Sequence, residues 1–158
     1  MMVNVSTANI KKETHMLRDL VRHVATETGI TQARAREALG IILNAADRQG
    51  SPFADALFQR LPGARTLSAR TGSEIGAPTG TIARLIEQTP GGRRAVACGM
   101  IERLQGCDLS HKEIGQMLPA IAGYAEEAYE ISGFGHLGDL LGHDGNATVT
   151  PAAIAAVA

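Results

Sequence analysis

Aliphatic residues at helical spacing, cut into short runs by glycine, proline and hydroxyl residues, are what most limits the folds open to this chain. Leu17, Leu20, Val21, Val24 and Ala25 recur every three or four residues and make one apolar stripe. Gly29 suits the position just past the end of such a helix. Thr31 is a natural N-cap for the next one. Ala35, Ala38, Leu39, Ile42 and Ala46 then line one face, with Arg34, Arg36, Glu37 and Asp47 largely off it. The result is a helical hairpin with a very short turn, closed by Gly50. Ser51 and Pro52 open a third helix, the proline at a position where its missing N–H costs nothing. Ala54, Leu57, Phe58 and Leu61 carry its stripe until Pro62-Gly63 breaks the run, and residues 64–71 leave room for a further turn.

The stretch TGSEIGAPTG, residues 71–80, holds three Gly, one Pro, two Thr and one Ser and reads as a flexible join. Residues 81–88 form a short amphipathic helix, TPGG interrupts, and residues 92–105 form another, with Ala97, Met100, Ile101 and Leu104 on one side. Ser110 and Glu113 fit a capping box. Ile114, Met117, Leu118, Ile121, Ala122 and Ala125 continue from it, with Pro119 expected to kink or split the helix. Phe134, Leu137, Leu140 and Leu141 suggest a last short helix. No segment alternates as a strand would. The expected fold is all-α, a helical bundle of two lobes joined by a Gly-rich linker. Residues 1–8 are a loose start, 9–71 the first lobe, 72–80 the linker, 81–142 the second lobe and 143–158 a tail.

Composition narrows the function classes. Aromatics are only 3% and Trp is absent, so the core rests on Ala, Leu, Ile and Val, and stacking of bases on rings is disfavoured. The net charge of −1 argues against a general nucleic-acid binder. The charge is uneven, however. Residues 1–71 carry ten Lys/Arg and six Asp/Glu, whereas residues 106–158 carry one and seven. A basic front and an acidic back can attract each other, within one chain or between two. Cys98 and Cys107 are too sparse for a disulfide framework and read as free thiols. The start lacks the apolar region of a signal peptide, and no run reaches the roughly 18–20 residues of a membrane span. A cytoplasmic location is expected.

The pieces TGITQARAREALGIIL, LFQRLPGARTLSA, the Gly/Ser/Thr-rich middle and LSHKEIGQMLPAIAGYAEEAYEISGFGHLGDLLG together span roughly residues 17–142. In these the chain resembles the VcgC/VcgE-type bacterial family of small helical proteins of unknown function. The resemblance implies a helical fold of two lobes around a Gly-rich join, and no activity, cofactor or site residue. Residues 16–49 also resemble the helical hairpin of the histone-like DNA-binding proteins. Those continue into a sheet with a basic arm that grips the minor groove. Here residues 51–71 read as helix and no such arm follows.

Candidate sites are few. Arg18, Arg22, Arg34 and Arg36 head a basic set that could face phosphates, although Asp19, Glu27, Glu37 and Asp47 are interspersed, as on a solvated surface. Gly91, Gly92, Arg93 and Arg94 could seat an anion at a helix start, but no strand precedes them and no Walker lysine follows. His15, His23, His111, His136 and His143 fall into no metal-binding spacing. No nucleophile, base and orienting group combine into a catalytic set. No cofactor or metal is expected. The chain therefore reads as a non-catalytic helical interaction or structural module, with a protein partner or its own copies as the binding target and no membrane. The alternative is a nucleic-acid-associated protein using the basic N-terminal hairpin.

Overall fold

Four helices begin where the sequence offers a hydroxyl cap. A computed structural model gives the backbone of residues 3–131 and the side chains from Met16 onward. The helix expected over 134–141, the tail from 143, and the side chains of His15, His136 and His143 lie outside the described residues. Seven helices and no strand occur among those described: α1 (Val3–Thr28), α2 (Gln32–Arg48), α3 (Pro52–Arg60), α4 (Pro62–Glu74), α5 (Thr81–Glu87), α6 (Pro90–Gly106) and α7 (His111–Tyr129). The all-α expectation holds. Thr31, Ser51, Thr89 and Ser110 each accept a bond from a backbone N–H in the first turn that follows, and Ser110 and Glu113 complete the capping box.

Some boundaries differ from expectation. α1 is already helical from Val3, so the loose start does not extend to residue 8. The turn expected after Pro62-Gly63 is a helix of 13 residues, with Pro62 in its first turn. It runs on to Glu74, into the stretch read as linker. The reason is close packing: a Cβ on Gly40 of α2 would sit 2.2 Å from the Thr71 hydroxyl, and one on Gly72 would sit 2.5 Å from the Asn44 amide nitrogen. These two glycines let α4 lie against α2, and the contact favours helix over the local glycine content. The Asn44 amide also donates to the Ser68 carbonyl at 3.2 Å. Pro119 does not split α7, which runs unbroken through it. Pro119 and Gly115 are both exposed, so the carbonyl freed by the missing N–H faces water.

α2 is the central element. Ala35, Ala38 and every residue from Leu39 to Ala46 are buried, far more than the single stripe read from the sequence. A helix apolar on all sides belongs inside, and α2 is surrounded by α1, α3, α4 and α6. α7 packs along α1 and reaches α3 and α6. The buried side chains on both sides of the 75–80 connection, from Leu17 and Leu20 to Val96, Met100, Met117 and Tyr129, belong to one continuous core.

Candidate functional site

One helix departs from this pattern. α5 has seven residues, TIARLIE, and its buried residue is Glu87. Its large apolar side chains point the other way: Ile82, Leu85 and Ile86 are 75%, 65% and 62% exposed. They fall at i, i+3 and i+4, so they form one patch on one face. The helix is turned inside out, with charge directed inward and aliphatic surface outward.

The last turn of α2 holds it so. Arg48 Nε donates to Glu87 Oε2 at 2.6 Å, with both side chains nearly buried. Arg84 Nη2 lies 3.4 Å from Asp47 Oδ2. Gln49 Nε2 donates to the Glu87 carbonyl at 2.9 Å, and Gln88 Nε2 to the Arg48 carbonyl at 3.4 Å. The carbonyls that end a helix lack intrahelical partners. Here Thr89 Oγ1 donates to the Ile86 carbonyl at 2.7 Å and Arg93 Nε to the Gln88 carbonyl at 3.0 Å. Both charged residues of α5 are thus engaged with α2, and its outer face carries no charge.

The neighbouring turn completes the clamp. A Cβ on Gly92 would lie 2.1 Å from the Ile86 carbonyl oxygen and 2.7 Å from Glu87 Cα. Gly92 is therefore where the start of α6 meets the end of α5, backbone against backbone. This bears on the anion site read from Gly91, Gly92, Arg93 and Arg94. The Gly92 N–H donates to Thr89 Oγ1 at 3.1 Å, Arg93 is bound to the end of α5, and Gly91 and Arg94 are exposed.

The basic set is spread over two helices. Arg18, Arg22, Arg34 and Arg36 are all exposed. Arg22 lies 3.6 Å from Asp19 and Arg34 3.7 Å from Asp108. Arg34 and Arg36, two apart on α2, point to different sides. The Arg34–Asp108 pair joins the basic front to the acidic back.

Cys107, beside that pair, has its thiol pushed up to about 11, by burial first and then by Glu37. Cys98 is exposed on α6. His23 stacks at a tilt on Tyr124, and Tyr124 meets Tyr129 edge-on, with centroids 5.4 and 6.1 Å apart. Burial, then Tyr124, pushes the Tyr129 phenol up to about 12, so it stays protonated, while His23 on Tyr124 links α1 to α7. A crevice between α2 and α6, lined by Asn44, Arg48, Met100 and Arg103 among others, is too narrow to admit even a water-sized molecule. Among the described residues no three His, Cys, Asp or Glu side chains converge as metal ligands. No described helix is long and apolar enough to cross a membrane.

The sequence reading found α5 as an amphipathic helix but not the direction it faces. Its stripe has the spacing of the buried ones. The signal lay in Asp47 and Arg48 at the end of α2, opposite in sign to Arg84 and Glu87. Compared with known proteins, the chain matches no family model, no curated protein and no solved structure.

Proposed function

We propose that this chain is a non-catalytic helical interaction module that meets a protein partner through the outer face of α5. One observation carries the reading: Ile82, Leu85 and Ile86 stand more than half exposed on a helix whose charged residues are fixed inward. Leaving three large aliphatic side chains in water forgoes about 1.5–3 kcal/mol each relative to full burial. Rolling α5 over would bury them but would break the Arg48–Glu87 pair. Apolar patches rimmed by polar groups mark interaction surfaces, and a rigid helix presents such a patch at little entropic cost. The reading includes a cytoplasmic location, kinship with the VcgC/VcgE-type family over residues 17–142, and two helical lobes acting as one body.

A photo-crosslinking residue placed at Leu85 and, as a control, at exposed Gln116 on α7 tests this in cells making the protein. A covalent adduct to a protein chain at position 85 and none at 116 is expected. No adduct at position 85 overturns the reading.

A further inference from the structure

We infer that α5 is a charge-latched strap, which opens from the body as a unit while the core stays folded. The latch is the pair of ion pairs that tie α5 to the last turn of α2.

Three observations separate α5 from the rest of the fold. First, the continuous core passes from Leu67 to Val96 with no residue between them, and α5 adds none of the half-buried apolar side chains packed against that core. Its opening therefore uncovers little apolar surface. Second, what ties α5 to α2 is polar and lies along one edge. Arg48 and Asp47 of α2 face Glu87 and Arg84 of α5, at 2.6 and 3.4 Å. Gln49 and Gln88 each donate to a carbonyl across the same edge. On the α6 side, Arg93 donates to the Gln88 carbonyl, and the backbone approaches at Gly92. Third, the connection before α5 can act as a hinge. Gly76 and Gly80 both have left-handed backbone, with φ of 67° and 97°, a region glycine enters and leaves without strain. The close packing of Thr71 and Gly72 on α2 fixes the chain just before this hinge.

Opening also dissolves the strap. Helices shorter than about 12–15 residues are marginal in water, and α5 has seven residues. Once the ion pairs part, Arg48 and Glu87 regain their hydration and α5 loses its helix. Ile82, Leu85 and Ile86 then no longer share a face. The aliphatic patch accordingly exists in the latched chain and vanishes in the open one. The latch sets both the direction of the patch and whether it is present.

Amide exchange of the purified full chain, followed by NMR, tests this. The Arg84 N–H donates to the Gly80 carbonyl at 3.1 Å and the Gln88 N–H to the Arg84 carbonyl at 3.0 Å, so amides 84–88 report on α5. In the wild-type chain their protection should fall at least about 100-fold below that of Ile42 in α2, since local openings lie between fraying and global unfolding. Low concentrations of urea should accelerate amides 84–88 much less than Ile42, because the surface exposed sets the slope. In the double variant Arg84→Gln with Glu87→Gln, amides 84–88 should exchange nearly as fast as in an unstructured peptide, while Ile42 and Ile121 stay protected. Equal protection and equal urea dependence for α5 and Ile42 in the wild-type chain overturn the inference. So does a double variant that keeps amides 84–88 protected, since the ion pairs then hold nothing. A double variant that loses protection at Ile42 and Ile121 as well overturns it too, because the core would then depend on α5. These measurements need no partner, so they fail or succeed independently of the cellular adduct at position 85.

Discussion

Arg48 Nε and Glu87 Oε2 lie 2.6 Å apart, 39 residues apart in sequence, with side chains 13% and 10% exposed. This pair decides which way α5 faces. Breaking such a pair from one side costs about 3–5 kcal/mol, because the remaining charge stays buried without its partner. Glu87→Ala should lower stability by that amount in urea unfolding and accelerate amide exchange in α5 first. Replacing both, Arg48→Met with Glu87→Leu, should recover most of the loss. A cost below about 1 kcal/mol for Glu87→Ala would mean that the pair behaves as a solvated surface bridge.

Gly92 and Gly91 are neighbours with opposite expectations. A side chain at Gly92 meets the backbone of Ile86 and Glu87, which cannot swing away, while one at Gly91 meets nothing within 4 Å. Gly92→Ala should cost about 1–3 kcal/mol or more by overpacking. Gly91→Ala should be neutral or gain up to about 1 kcal/mol from helix propensity. Equal effects in denaturant titrations would show that α5 and α6 do not approach as described.

The two kinds of leucine here should separate cleanly. Leu43 is fully buried and Leu85 is 65% exposed. Leu43→Ala should cost about 2–5 kcal/mol, whereas Leu85→Ser should stay within about 0.5 kcal/mol. Thermal melts are the measurement.

Cys107 provides a pH-dependent readout. Burial and then Glu37 raise its thiol from 9.0 to about 11, so at pH 8 only about a thousandth is thiolate, the reactive form. Iodoacetamide at pH 8 should modify exposed Cys98 well before Cys107, and Glu37→Gln should quicken Cys107. The linkage follows from the sign of the shift. The folded chain holds this proton more tightly than the unfolded chain, so the contribution to stability is full below pH 9 and is lost as pH rises through about 11. Unfolding in denaturant between pH 8 and 11 should show the decline, reduced in Cys107→Ala.

Much of the fold was legible because its determinants are local. Thr31, Ser51 and Ser110 announce helix starts through side chains that satisfy backbone groups within three residues. The stripes at Leu17–Ala25 and Ile114–Ala125 repeat at helical period and are buried, Leu118 partly so. What stayed hidden depends on partners distant in sequence. The spread of burial around α2 is set by the helices that surround it, beyond any stripe of its own. Helix α4 continues through Thr71 and Gly72 because Gly40 and Asn44, some 30 residues earlier, accept the close approach. The face of α5 was undecided for the same reason. Its aliphatic spacing fits burial, and only the pairing of Asp47 and Arg48 with Arg84 and Glu87 turns it outward.

α1 lies against α2 and α4, but most extensively against α7, so the first described helix gains the last part of its cover from the last one described. Roughly eighty residues separate them, several seconds of synthesis at about 5–20 residues per second. During that interval the Leu17–Ala25 stripe has only the shelter that α2 and α4 give it. A chain released before α7 emerges should therefore leave the α7-facing side of α1 in water and aggregate more readily than the whole chain.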